Sequence, residues 1–141
     1  MNFLKYKKNT RFYIDNLPID SLAKKFATPF YCYSLSQIKY NLKQFSEKFK
    51  KINPLICFSV KSNSNISILN ELKKRGCGAD VVSVGELIVS LKAGIEPKKI
   101  VFSGVGKTEK ELEFAIKKNI LLINIESESE GILINKISKK L

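Results

Sequence analysis

The chain has 141 residues, 44% apolar and 27% charged, which suffices for one ordinary core and excludes wholesale disorder. Its 25 Lys and Arg against 13 Asp and Glu give a net charge of +12. The lysines fall in scattered pairs such as Lys24-Lys25, Lys73-Lys74 and Lys98-Lys99 without interleaved aromatic residues, so a nucleic-acid partner is not expected.

Histidine is absent, which removes imidazole as acid, base or metal ligand. Cys32, Cys57 and Cys77 are odd in number and lack CxxC spacing, so they read as small core residues kept reduced, and no metal site is expected. No apolar run approaches the ~18 residues of a membrane span, and no apolar leader precedes the first charges. A cytoplasmic location without membrane attachment is the expectation.

Along the chain, residues 1–27 stand apart as a lead-in segment: FYI followed by LPIDSLAKKF reads as a short strand, a turn and one helix. From Thr28 onward, short apolar or β-branched runs alternate with helical patterns, the mark of βα units around a parallel sheet. The strand candidates are FYCYS, LICFSV, ADVVS, KIVFSG and LLINIE. Between them, Ile38, Leu42, Phe45 and Phe49 recur at helical spacing, as do Leu112, Ala115 and Ile116. Thr108 to Glu111 and Ser127 to Glu130 match the capping box, in which a hydroxyl and a carboxylate three residues later satisfy free backbone donors. Gly76, Gly94 and Asn119 fall where helices should end in a left-handed residue.

The units recur every ~20 to 25 residues, which suits the compact turns of a (β/α)8 barrel. The fold expected is therefore α/β, a partial TIM-type barrel of about five βα units over residues 28–141, preceded by the short N-terminal strand. A closed barrel of this type takes eight units, so the chain reads as a fragment or a truncated product.

In parallel α/β architectures the reactive groups collect at the carboxyl ends of the strands. Lys61, Asp80 with Ser83, Ser103 to Lys107, and Glu126 with Ser127 all fall there. Lys61 follows the run LICFSV and precedes small polar residues, a position expected to be partly desolvated, which favours a neutral, nucleophilic amine. Pattern alone does not separate this from a surface lysine at a strand end. FSGVGKT ends like a phosphate-binding loop, but Val101 occupies the place of that motif's first glycine. The segment reads as a tight turn capped by Thr108, or as a helix N-terminus friendly to a substrate carboxylate.

TPFYCYS, CFSVKSNSN, GCGADVVSVGEL, AGIEPKKIVFSGVGKT and NIESESE together resemble, in order and spacing, the opening of the barrel domain of the fold-type III pyridoxal-phosphate decarboxylases. That group contains the diaminopimelate, ornithine and arginine decarboxylases. Within it, FSGVGKT and GADVVSVGEL are similar to the diaminopimelate branch. The resemblance implies a carboxy-lyase that uses pyridoxal 5'-phosphate to convert meso-2,6-diaminopimelate to L-lysine. It implies Lys61 as the catalytic lysine that carries the cofactor, with Asp80 and Glu86 near the lysine and the ring. Ser62 stands where the family commonly has alanine and Cys77 where it has serine; both are small replacements. The family takes its phosphate loop, a glutamate and a histidine from later strands, so the isolated chain is expected to be inactive. It also implies a small amino-acid substrate and a homodimer in the full-length form. The alternatives are a non-catalytic homologue or remnant that binds a subunit, and a related ornithine or arginine decarboxylase.

Overall fold

A computed structural model of the chain describes residues 3–7 and 11–141. These form two compact units, Met1–Asn53 and Pro54–Leu141, whose boundary lies later than the sequence-based division after residue 27.

In the first unit, β1 (Leu4–Lys7), β2 (Arg11–Ile14) and β3 (Leu17–Pro18) make an antiparallel sheet. The turn between β2 and β3 is Asp15-Asn16, both left-handed at φ 49° and 73°, a conformation that these two residue types tolerate and that matches strand twist. Helix α1 (Ile19–Lys25) follows, then α2 (Leu35–Phe49). Ser34 caps α2 by accepting from the Gln37 amide at 3.0 Å. Asp15 in turn accepts from the Ser34 hydroxyl at 2.6 Å and the Ser36 amide at 3.0 Å, which ties the turn to the helix start.

The expected strand at FYCYS is absent. Residues 30–34 are unpaired among the described residues, with Tyr31 90% and Tyr33 51% exposed. Aromatic content marks a strand only where a neighbouring edge accepts its ladder, and here the run ends instead in the Ser34 cap. Cys32 is exposed for the same reason and is not a core residue. Helix α2 contains Ile38, Leu42, Phe45 and Phe49, as their spacing predicts, but buries none of its side chains fully.

The second unit alternates strand and helix: β4 (Cys57–Ser59), α3 (Ile66–Lys73), β5 (Gly78–Val81), α4 (Val84–Lys92), β6 (Ile100–Phe102), α5 (Glu109–Lys117), β7 (Leu122–Ile123) and α6 (Glu128–Ser138). The strands form a parallel sheet in the order β4-β5-β6-β7. Spatial order follows chain order, as in a (β/α)8 barrel and unlike a doubly wound sheet, whose order reverses. The fold is thus a mixed α/β one corresponding to part of such a barrel, with four paired strands where five units were expected.

Strand alternation sorts the side chains. Ala79 pairs with Ile100 and Val81 with Phe102, and all four are fully buried in one core with Val60, Leu69, Leu87 and Ala115. Each fully buried large side chain contributes about 1.5–3 kcal/mol. The opposite face carries Cys57, Ser59, Gly78, Asp80 and Val101, none of them part of that core. Left-handed Gly76, Gly94 and Asn119, at φ 84°, 82° and 53°, end α3, α4 and α5 as the sequence indicates. Among the described residues no helix is long and apolar enough to cross a membrane.

Gly78 is where the sheet leaves no room. A Cβ there would lie 2.1 Å from the Lys99 carbonyl oxygen and 2.9 Å from Cys57 Sγ, whereas one at Gly85 meets nothing closer than 3.7 Å. Gly78→Ala is expected to lower unfolding stability by about 3 kcal/mol or more in urea titrations, and Gly85→Ala to leave it unchanged or raise it by about 0.5 kcal/mol.

Candidate active site

Because the four strands run parallel, the residues just past their ends share one rim. The turn after β4 is a single 3-10 turn, Val60–Ser62. Fully buried Val60 anchors it from below, the Ser62 hydroxyl donates to the Ser59 carbonyl at 2.7 Å, and the Asn63 amide donates to the Val60 carbonyl at 3.0 Å. Asn63 Oδ1 then accepts from the Asn65 amide, and Asn65 caps α3 by accepting from the Ser67 amide. Nearly every polar residue of the KSNSN run therefore has a structural task. Lys61 has none: its amine engages no acceptor among the described residues.

Lys61 is exposed, which corrects the expectation of a partly desolvated amine. It follows β4, the edge strand of the four-stranded sheet β4-β5-β6-β7 among the described residues. What the fold does supply is a rigid backbone beneath a free amine.

Asp80 lies in β5 with Ser59 as its register partner, two residues before Lys61. Its carboxylate is half-buried; Oδ1 accepts from the Ser103 hydroxyl at 2.6 Å and Oδ2 from the Ser59 hydroxyl at 3.5 Å. Glu86, in the first turn of α4, is occupied locally. Its Oε2 accepts from the Val82 amide at 2.9 Å while its own amide donates to the cap residue Ser83.

Lys107 departs furthest from the sequence expectation. Its place in the chain predicts a rim position, but its side chain is only 1% exposed and its amine pairs with Glu130 at 2.6 Å and donates to the Asn124 carbonyl at 2.8 Å. Removing one partner of such a buried pair leaves an uncompensated charge, at a typical cost of about 3–5 kcal/mol. The pairing also alters the second capping box. Ser127 accepts from the Glu130 amide at 3.2 Å as expected, but the Glu130 carboxylate goes to Lys107 instead of the cap amide. The anion-binding reading of this turn therefore loses its only lysine.

Sequence reasoning missed Asn124, whose side-chain amide donates to Ser103 Oγ at 2.9 Å. Alternation along LLINIE, with Leu122 and Asn124 on the face opposite Ile123, was the available signal. Glu126, expected at the rim, accepts there from the Gly104 amide at 3.3 Å. Burial pushes the thiols of Cys57 and Cys77 up, so neither is poised as a nucleophile.

A family model described as pyridoxal-dependent decarboxylase, pyridoxal binding domain, matches residues 35–141. The diaminopimelate decarboxylase of Vibrio cholerae is 40% identical over 141 residues, covering 100% of this chain and 34% of the relative. That of Helicobacter pylori is 48% identical over 122 residues, 86% of this chain and 30% of the relative. The crystal structure of diaminopimelate decarboxylase from M. jannaschii in co-complex with L-lysine superposes with a TM-score of 0.93 at 40% identity, over 99% of this chain and 33% of that one. An Entamoeba histolytica ornithine decarboxylase, at 23% identity and a TM-score of 0.74, shares the fold alone. The chain spans about a third of the length of the curated relatives it matches.

At the same rim, Glu111 joins two helix starts. It accepts from the Thr108 amide and hydroxyl at 3.0 and 2.8 Å, closing the capping box of α5, and from the Val84 amide at 3.2 Å at the start of α4. The Thr108 amide, followed by its hydroxyl and the Val84 amide, holds the Glu111 carboxyl below its ordinary 4.5. A carboxyl lowered on folding stabilises above its unfolded value, and the contribution is lost as pH falls through the folded one. Glu111→Gln is thus expected to cost about 1 kcal/mol at pH 7, and the gap from wild type to narrow as pH falls below the carboxyl's ordinary 4.5 in urea titrations run against pH.

Proposed function

We propose that this chain, which belongs to the pyridoxal-dependent decarboxylase family, provides the cofactor-bearing lysine of an enzyme that decarboxylates meso-2,6-diaminopimelate to L-lysine. The observation that carries the reading is Lys61. Its amine is left without an acceptor among the described residues on a turn held by Ser62 and Asn63, at the end of a strand whose Ser59 is in register with Asp80. Identities of 40–48% to diaminopimelate decarboxylases support the substrate. Ornithine decarboxylase is far more distant at 23%.

The residues present suit pyridoxal phosphate, because an aldehyde is captured by an unengaged amine on a rigid support and not by one locked in an ion pair. When bound, that cofactor supplies an electron sink for the pair left behind as carbon dioxide departs. Lys61 is assigned the attachment. Asp80 is assigned as the acceptor for the Lys61 amine, on the support of its register with Ser59, two residues before Lys61. Glu86, which the resemblance puts near the lysine and the ring, also braces the Val82-Ser83 segment, its Oε2 holding the Val82 amide. Lys107 takes no part, its amine being held by Glu130. A small amino acid as substrate and a homodimer as the assembly complete the proposal, the latter on family resemblance.

Pyridoxal phosphate added to the chain, reduced with borohydride and mapped by peptide mass, is expected to label Lys61 ahead of the other lysines. A spread over many lysines with no preference for Lys61 would sink the assignment. In a chimera with this chain replacing the matching third of the Aquifex aeolicus diaminopimelate decarboxylase, carbon dioxide release from meso-diaminopimelate is expected to persist. Lys61→Ala in that chimera should reduce it by about a thousandfold or more.

A further inference from the structure

Four consecutive strands each contribute one polar side chain to a continuous chain of hydrogen bonds. Ser59 from β4 donates to Asp80 Oδ2 at 3.5 Å, Asp80 sits in β5, Ser103 past β6 donates to Asp80 Oδ1 at 2.6 Å, and Asn124 past β7 donates to Ser103 Oγ at 2.9 Å. The direction is set by chemistry. An amide NH2 can only donate, so Ser103 Oγ is its acceptor, and the one Ser103 proton goes to a carboxylate that has none to give.

The far end of this chain is fixed in place. The Asn124 amide donates to the Phe102 carbonyl at 2.9 Å, and the Asn124 carbonyl accepts from Lys107 at 2.8 Å. Lys107 is itself buried against Glu130. The two Asp80 oxygens therefore differ: Oδ1 is committed by a short bond that is supported from behind, and Oδ2 holds only a long one.

We propose that Ser103, backed by Asn124, is a positioning residue that commits Asp80 Oδ1 and leaves Oδ2 as the acceptor for the Lys61 amine. This rests on the reading of Lys61 as the cofactor lysine. Ser103 and Asn124 are assigned to act through Asp80. The face of the sheet opposite the core then works as a relay in which the last strand end controls a carboxylate two strands away.

The test uses the full 141-residue chain and its Ser103→Ala, Ser103→Thr, Asn124→Ala and Asp80→Ala variants, with folding checked by circular dichroism. Two readouts are taken: the share of borohydride-fixed pyridoxal label at Lys61, and, with no cofactor added, the 13C carboxyl resonance of Asp80. Ser103→Ala is expected to lower the Lys61 share about tenfold, as loss of a hydrogen bond to a charged group does. Ser103→Thr should restore it, Asn124→Ala should give a smaller loss, and the Asp80 resonance should move in Ser103→Ala but not in Ser103→Thr. If Asp80→Ala lowers the share and Ser103→Ala does not, the positioning role is overturned while the assignment of Lys61 survives. If the native chain shows no preference for Lys61, that assignment fails, and the resonance alone decides whether Ser103 positions Asp80. An Asp80 signal unmoved in Ser103→Ala would refute it.

Discussion

Every other feature of the second unit depends on the parallel pairing of β5 with β6, in which Ala79 meets Ile100 and Val81 meets Phe102. Those four side chains face the helices and are fully buried. Because a strand alternates its faces, fixing them fixes the opposite set as well. Asp80 and Val101 are thereby committed to the other face, and Ser59 joins them through its pairing with Asp80. A slip of one residue would exchange the two sets and bury a carboxylate among aliphatic groups. The hydrophobic register and the placement of the polar rim are one constraint.

Gly78 shows how tightly this constraint is drawn. The Lys99 carbonyl passes so close that no Cβ fits, and the residue immediately begins the strand that carries Asp80. A small residue at the lower end of β5 thus lets β6 approach, and that approach brings Ser103 within 2.6 Å of the Asp80 carboxylate at the upper end.

Most polar groups at the rim maintain the fold. Ser83, Thr108 and Ser127 each cap a helix, Glu111 holds two helix starts, and Lys107 with Glu130 forms a buried pair. Such groups resemble catalytic residues in type and position, and their hydrogen-bond partners are what distinguish them. Lys61 stands out by the reverse test, as a reactive group whose turn is satisfied without it. Asp80 is intermediate, with one oxygen committed and the other weakly held.

The alternation of apolar runs with helical spacing, the cap residues and the left-handed Gly76, Gly94 and Asn119 were legible from the sequence, because each follows from local sterics or a contact within a few residues. So was the position of Lys61, Asp80, Ser103 and Glu126 toward the carboxyl ends of parallel strands, since chain order alone sets which end of a parallel strand a residue occupies. Local pattern could not decide whether FYCYS finds an edge to pair with, whether Lys61 is covered, or which partner Lys107 and the Glu130 carboxylate choose. Those outcomes depend on groups far apart in the chain: Lys107 and Glu130 are separated by a strand and a helix, and Asp80 by a helix and a strand from Ser103. Only the closed set of tertiary contacts brings such charges and hydrogen-bonding groups within reach, and with them the difference between a rim lysine that is bound and one that is free.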